Sequence, residues 1–109
     1  MGEAAVFADE IFGFHVQQAA EKLLKAWLAL RGQTDPLSHD LAALLDMLSV
    51  GGVDVADFDE LVDYTPYAVR LGYATADPGL RPPDRPKAIK LAEMLLAAVR
   101  RQLAETESG

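Results

Sequence analysis

The sequence lacks cysteine, long apolar runs and an excess of basic residues. Without cysteine, the 109-residue chain can form no disulfide scaffold, no thiolate nucleophile and no cysteine-ligated zinc or iron–sulfur site. No apolar stretch approaches the roughly 18 residues of a membrane-spanning helix. Residues 1–10 are acidic and do not resemble a secretory signal. We therefore expect a cytoplasmic protein that does not associate with a membrane.

Negative charge exceeds positive charge, and the two signs are unevenly distributed. The net charge of −7 argues against a protein that binds nucleic acid with its whole surface. Residues 40–63 contain acidic side chains and no Lys or Arg, whereas basic residues predominate among the charged residues of 81–101. One small protein can therefore present two surfaces of opposite charge.

The composition is that of a folded globular domain, because 50% of the residues are apolar and 25% are charged. The chain shows no strand-like alternation of apolar and polar residues and no repeat. We predict a single all-α domain over residues 1–109, with its core in about 9–105. The expected architecture is an up-and-down bundle of about four to five helices.

Apolar residues recur at helical spacing in three long segments. The first spans about residues 9–31 before a C-cap at Gly32, and its stripe is Phe12, Val16, Ala19, Leu23, Trp27 and Leu30, widened by Ala20, Leu24 and Leu28. The second follows an N-cap at Ser38, ends before Gly51, and carries Leu37, Leu41, Leu44, Leu45 and Leu48. The last begins near Asp84, frays over residues 105–109, and carries Ala88, Leu91, Ala92, Leu95, Leu96, Val99 and Leu103.

Two short helices are predicted between the second and the last of these segments. Asp54 or a neighbour caps the first of them, and Thr65 caps the second. The second begins at Pro66, where a missing N–H group is harmless, and it ends near residue 73. Residues 74–83 are rich in proline and form the longest predicted loop.

Four polar side chains on the first helix are spaced by three, four and three residues, namely His15, Gln18, Lys22 and Lys25. This spacing predicts a polar ridge on one side of the helix, which can hold an anion. The alternative is a solvated helix face. Glu21 and Lys25 support that alternative, because they stand at the i,i+4 spacing that suits an ion pair.

His39 and Asp40 precede the second helix. Free N–H groups and the helix dipole favour an anion at such a position. Histidine titrates near neutral pH, so His39 can act there as a general acid or base. The alternative is that His39 and Asp40 cap the helix and complement its dipole.

Aromatic residues alternate with an arginine further along the chain, since Tyr64, Tyr67, Arg70 and Tyr73 are three residues apart. On a helix this spacing presents rings and a guanidinium group together, as in sites that stack on nucleic-acid bases. Packing of the rings in the core is the alternative. The two histidines do not stand at metal-ligand spacing, so we expect no metal, and no motif indicates a cofactor.

Several segments together match a known pattern. The first helix contains the run FHVQQAAEKLLKA and is followed by Arg31 and Gly32, the second helix opens with SHDL, and YTPYAVR follows later. With the closing helix, these segments resemble the small HEPN domains (higher eukaryotes and prokaryotes nucleotide-binding). The resemblance implies a helical bundle that dimerises. It further implies either pairing with a small nucleotidyltransferase in prokaryotic toxin–antitoxin modules or a metal-independent ribonuclease.

The resemblance supports two hypotheses, and an interaction domain whose ligand site has decayed is a third possibility. In the first, a homodimer binds a nucleotide or RNA through the polar ridge, Tyr67 and Arg70, and engages a nucleotidyltransferase partner. In the second, Arg31 and His39 from two subunits meet in a cleft as the catalytic residues of an endoribonuclease. His39 would take a proton from a ribose 2′-hydroxyl, and Arg31 would stabilise charge on the phosphate. Ribonuclease members have a shorter interval between these residues than the seven found here, which favours the first hypothesis.

Overall fold

The computed structural model describes residues 2–33, 37–68 and 83–108. They form helix α1 (Gly2–Leu30), helix α2 (Leu41–Val50), a 3₁₀ helix (Ala56–Ala68) and helix α3 (Arg85–Ser108). No strand occurs within these ranges, so the prediction of an all-α helical bundle is confirmed. None of the helices in the described ranges is both long enough and apolar enough to cross a membrane.

Helix α1 is the central element, because it packs against α2, the 3₁₀ helix and α3. Its predicted stripe is only partly right, since Val16 and Trp27 are buried but Ala19 is exposed. The most deeply buried apolar side chains of α1 are those predicted only to widen the stripe, namely Ala20, Leu24 and Leu28. The core therefore surrounds α1 on more than one side.

Helix α2 contributes leucine side chains to this core. They are the buried residues Leu41, Leu44, Leu45 and Leu48. Leu37 shares their spacing but is 98% exposed, contrary to the prediction. It precedes the N-cap residue Asp40, so the chain is not helical at Leu37 and the helical spacing does not apply there.

Each of the two helices before the 3₁₀ helix is followed, two residues after its end, by a glycine with positive φ. Gly32 has a φ of 78°, and its N–H group donates to the Ala29 carbonyl at 3.0 Å. The next N–H group, that of Gln33, donates to the Leu28 carbonyl at 2.9 Å. These two bonds satisfy carbonyls that the helix end leaves without partners, and they confirm the predicted C-cap. Gly52, with a φ of 98°, follows α2 in the same way.

The start of α2 is capped by Asp40 rather than by Ser38. The Asp40 carboxylate accepts the Ala42 N–H group at 3.0 Å. Ser38 does not bind an N–H group of the helix. Its hydroxyl accepts the N–H group of the N-cap residue Asp40 at 3.0 Å. The prediction named the right segment but the wrong residue, since serine and aspartate are both common helix caps.

A single 3₁₀ helix, Ala56–Ala68, replaces the two short helices that the sequence predicts. Asp54 accepts its first N–H group at 3.1 Å, as expected. Thr65 does not cap a new helix at Pro66, because its hydroxyl accepts the N–H group of Leu41 at 3.2 Å. Pro66 lies inside the 3₁₀ helix. Residues 69–82, which include the rest of the second predicted helix and nearly all of the predicted loop, lie outside the described residues.

Helix α3 begins where predicted but does not fray over residues 105–108, because it continues to Ser108. Its buried face is Ala88, Leu91, Leu95, Ala98 and Val99. Leu96 and Leu103, which the sequence assigns to the core, are exposed instead. Helical periodicity identifies apolar positions correctly but does not say whether the same chain covers them.

The start of α3 is tied to two other helices by ionic contacts. The Arg85 guanidinium lies 3.0 Å from the Asp9 carboxylate and 4.7 Å from the centre of the Phe12 ring. The Lys87 ammonium lies 2.7 Å from the Glu60 carboxylate of the 3₁₀ helix. The hydrogen bond to Glu60 is the main reason that the pKa of Lys87 is raised.

Candidate functional site

A buried polar network lies where α1 passes the start of α2, and it consists of Gln17, Glu21, Lys25 and His39. Glu21 is only 7% exposed. Its carboxylate accepts the Gln17 amide at 2.8 Å and the Lys25 ammonium at 3.1 Å, and it lies 2.8 Å from Nδ1 of His39. Gln17 is fully buried and also donates to the His39 carbonyl at 3.3 Å. Two side chains of α1 thus fix the position of His39.

The protonation state of Glu21 decides which ring nitrogen of His39 donates. Burial alone raises the pKa of Glu21, but the hydrogen bonds from Gln17, His39 and Lys25 outweigh burial and lower the pKa below its ordinary value. Glu21 is therefore ionised at neutral pH and can only accept hydrogen bonds. Nδ1 of His39 must then be the donor, so Nε2 is the proton acceptor of the neutral ring.

His39 combines this fixed orientation with access to solvent. Its side chain is 66% exposed, whereas that of Glu21 is 9% exposed. Within the described ranges, the hydrogen bonds of the imidazole involve Nδ1 and not Nε2. The outward nitrogen is thus available to take a proton or, when the ring is protonated, to bind an anionic oxygen.

The predicted ridge on α1 divides into two parts. His15 and Lys22 are exposed, whereas Gln18 and Lys25 are half-buried and bind the polar network. The side-chain amide of Gln18 donates to the side-chain oxygen Oε1 of Gln17 at 2.8 Å. Helical spacing still places the four residues along one side of α1. The ridge therefore presents His15 and Lys22 to solvent beside a fixed Lys25.

Arg31 lies at the opposite end of α2 from His39. Its Nη2 donates to the Gly51 carbonyl at 2.7 Å, and its Nη1 donates to the Gln102 amide oxygen at 3.3 Å. The same oxygen accepts the indole N–H group of Trp27 at 3.3 Å. Because α2 has 10 residues, its ends are about 15 Å apart. One chain does not bring Arg31 and His39 together, and their meeting across two subunits stays a prediction.

The sequence predicts free N–H groups at the start of α2. This prediction is wrong for the first two N–H groups of the helix, because both already have partners. The Leu41 N–H group is bound by the Thr65 hydroxyl, and the Ala42 N–H group is bound by the Asp40 carboxylate. An anion there would also meet the negative charge of Asp40. On the α1 side, the positive charges of the site are Lys22 and Lys25, and Lys25 is paired with Glu21.

Comparison with known protein families gives a match over most of the chain. The family described as HEPN domain matches residues 9–102. The chain belongs to the HEPN domain family. HEPN domains are nucleotide-binding and ribonuclease-type modules. The match includes the whole buried polar network, and it confirms the resemblance seen in the sequence.

No curated protein and no solved structure matches this HEPN chain. The roles of individual residues therefore rest on the contacts within the chain itself. The described residues contain no group of three or more His, Asp or Glu side chains that could hold a metal ion.

The two described tyrosines of the predicted aromatic site, Tyr64 and Tyr67, are buried in this HEPN chain. Tyr67 is 5% exposed, and its ring centre lies 5.8 Å from that of Tyr64. A Cβ atom added at Gly13 would overlap the Tyr67 ring, so α1 approaches this ring closely. The buried position of Tyr67 agrees with the alternative prediction, in which the tyrosine rings pack in the core. Arg70 and Tyr73 lie outside the described residues.

Sequence reasoning missed Gln17 and Glu21 as members of the site. Gln17 stands three residues before Ala20 and seven before Leu24, on the buried side of α1. A polar residue in the middle of a buried stripe must find hydrogen-bond partners, so this position carried a usable signal. Glu21 is i+4 to Gln17 and was therefore its nearest candidate partner.

Proposed function

We propose that this HEPN chain binds a nucleotide or an RNA end as a homodimer in the cytoplasm. It acts with a small nucleotidyltransferase partner, as in prokaryotic toxin–antitoxin modules. The binding surface is the side of α1 that carries His15, Lys22 and Lys25, extended by His39 at the start of α2. Family membership supports the class of ligand, and the buried polar network supports the location.

The single observation that carries the proposal is the buried carboxylate of Glu21. It holds Lys25 from α1 and His39 from before α2 in fixed positions. Exposed Lys22 lies on the same side of α1 as Lys25. Groups that are already ordered lose less conformational entropy when they bind a ligand. Lysine and protonated histidine donate charge-assisted hydrogen bonds to phosphate oxygens.

The charge of the rest of the molecule favours a small ligand over a long nucleic acid. The 3₁₀ helix exposes the acidic residues Asp57, Asp59 and Asp63. Together with the net charge of −7, they repel a polyanion that extends beyond the site. A mononucleotide or the end of an RNA strand avoids most of this repulsion.

Titration of ATP and of a short single-stranded RNA against the protein, followed by calorimetry, tests the binding site. We expect Lys22→Ala to weaken binding about tenfold, because a hydrogen bond to a charged group contributes about 1.5 kcal/mol. Lys90→Ala is the matched control, since Lys90 is an exposed lysine of α3. Equal effects of the two substitutions would contradict the location. No binding of either ligand would contradict the function.

The proposed partner is tested separately from the ligand. We expect the neighbouring reading frame to encode a small nucleotidyltransferase that co-purifies with this chain when the two are expressed together. A neighbouring product of another class, or a nucleotidyltransferase that does not co-purify, would contradict the partnership.

A metal-independent endoribonuclease is the second candidate, and the geometry of His39 favours it. Glu21 fixes Nδ1, so Nε2 can take the proton of a ribose 2′-hydroxyl. A carboxylate that orients a histidine in this way is a common arrangement for acid–base catalysis. Arg31 would have to come from a second subunit, because its own contacts hold it at the other end of α2.

Incubation of single-stranded RNA with the protein in EDTA tests this candidate. If it is correct, the wild-type protein cleaves the RNA, and His39→Ala lowers the rate at least about 100-fold, the usual contribution of a general base. Glu21→Gln should lower the rate as well, because the amide no longer selects the Nδ1 proton. Intact RNA with the wild-type protein, or equal cleavage by His39→Ala, would contradict the candidate.

A further inference from the structure

Helix α3 exposes a row of large apolar side chains that the described part of the chain does not cover. Ile89, Leu96 and Leu103 are 51%, 37% and 43% exposed. They are seven residues apart, so they lie in one line along the helix over about 21 Å. Apolar residues repeated every seven positions are typical of a helix surface that packs against another helix.

Two charged residues of opposite sign flank this row. Glu93 lies three residues before Leu96, and Arg100 lies four residues after it. Both are exposed. Residues three and four apart share a helix face, so Glu93 and Arg100 are on the same side of the row, one towards each end.

We propose that a second copy of this chain covers the row, through antiparallel pairing of two α3 helices about a two-fold axis near Leu96. Ile89 then faces the partner's Leu103, and Leu96 meets the partner's Leu96. Glu93 faces the partner's Arg100, and the symmetry repeats each contact. This inference rests on the homodimer of the proposed function and names its interface.

Charge complementarity selects this occupant and this direction. In the antiparallel pair, both flanking contacts join a glutamate to an arginine, so the surface is complementary to itself. In a parallel pair, the flanking residues of the two copies lie on opposite sides of the row, so neither contact between Glu93 and Arg100 could form. The row lies on α3, whereas the buried polar network joins α1 to the start of α2. The pairing therefore does not involve the residues of the network.

Analytical ultracentrifugation over micromolar to millimolar concentrations tests the pairing. We expect a dimer, and we expect Leu96→Asp to raise its dissociation constant at least about 100-fold, because two carboxylates would meet at the axis. Leu37→Asp is the matched control, since Leu37 is exposed and apolar but lies outside α3. It should leave dimerisation unchanged. Circular dichroism checks that both variants fold.

A charge exchange tests the direction of the pairing. Glu93→Arg and Arg100→Glu each oppose like charges, and we expect either one to weaken the dimer about tenfold. The double variant restores both attractive contacts and should dimerise like the wild-type protein. A change that only disturbed the fold of α3 would not be rescued in this way. Single variants without effect, or a double variant without rescue, would overturn the antiparallel arrangement.

The outcomes separate the interface from the proposed function. A dimer that survives Leu96→Asp would overturn this interface but leave the homodimer standing. A monomer at all concentrations would overturn both the interface and the homodimer. Ligand titration of the Leu96→Asp variant then measures nucleotide or RNA binding independently of the interface.

Discussion

The two ends of α2 contact polar residues that are bound in different ways. Before its start, His39 is bound through one ring nitrogen, and its side chain is 66% exposed. Beyond its end, Arg31 donates from two nitrogens, one to the Gly51 carbonyl and one to Gln102. Arg31 thus links the end of α2 to α3, whereas the start of α2 leaves His39 largely exposed to solvent. Polar residues near one helix therefore cannot be assigned a common role.

The difference follows from what each end must satisfy. A helix C-terminus leaves carbonyls without partners and favours a positive charge, and Arg31 supplies both a donor and that charge at Gly51. At the start, Asp40 and Thr65 already satisfy the first N–H groups. His39 is therefore not needed as a cap, and its ring remains available for chemistry.

The largest expected effect comes from removing the centre of the network at the start of α2. Glu21→Ala leaves Gln17 and Lys25 without their acceptor in a mostly buried place. We expect the free energy of unfolding to fall by about 3 kcal/mol, as when one partner of a buried charge pair is removed. Urea denaturation measures this change.

Glu105→Ala is the control for this substitution, because Glu105 is exposed on α3. It should change the free energy of unfolding by less than about 0.5 kcal/mol. If Glu21→Ala were no more destabilising than Glu105→Ala, the start of α2 would not depend on a buried carboxylate, and the contrast between the two ends would fail.

The contrast between the two ends of α2 is tested by replacing one residue at each end with alanine. Arg31→Ala should lower the free energy of unfolding by about 1 kcal/mol, because it removes two exposed hydrogen bonds, and it should leave nucleotide binding intact. His39→Ala should cost less stability but weaken binding. Denaturation and calorimetry on the same two variants measure both quantities. The opposite pattern would assign the functional role to Arg31.

The caps of α2 allow a finer comparison of its two ends. Asp40→Ala removes the N-cap, and Gly52→Ala places a Cβ atom at a φ of 98°. We expect each to cost about 1 kcal/mol of unfolding free energy. Asp46→Ala is the control, since Asp46 is exposed within α2. A loss at Asp46 as large as at Asp40 would mean that the effect at Asp40 is not specific to capping.

Local features of the fold were predictable because they depend on nearby residues. The spacing of leucines predicted helix α2 but not its first residue, and Gly32 marked the end of α1. Thr65 was misassigned because its partner, the Leu41 N–H group, is 24 residues away. Local signals rank Thr65 as a cap but do not say which helix it caps.

The candidate site was predicted only in part, because some of its contacts join residues that are far apart in the sequence. His39 and Lys25 were identified by residue type and position. Their common partner Glu21 joins them only in the folded chain, since Glu21 and His39 are 18 residues apart. In the sequence, Glu21 and Lys25 form an ordinary helical ion pair. Burial gives that pair its importance, and burial depends on the packing of α2 and the 3₁₀ helix against α1.

The smallest expected effect is a difference in acid sensitivity between the two ends. The pKa of Glu21 is lower in the folded protein than its ordinary value, so the folded state favours the ionised carboxylate. This contribution to stability is complete above the unfolded pKa of about 4.3 and is lost as the pH falls through the lower folded pKa. Urea denaturation between neutral pH and pH 3 should show Glu21→Gln losing less stability than the wild-type protein.

Arg31→Ala is the matched variant, because a guanidinium does not titrate in this range. It should be less stable than the wild-type protein at neutral pH and lose further stability in parallel with it as acid is added. That result would give the start of α2 an acid-sensitive contribution to stability that its end lacks. If Glu21→Gln followed the wild-type protein over the whole range, the hydrogen bonds from Gln17, Lys25 and His39 would not favour the ionised carboxylate. The assignment of the donor role to Nδ1 of His39 would then lose its basis.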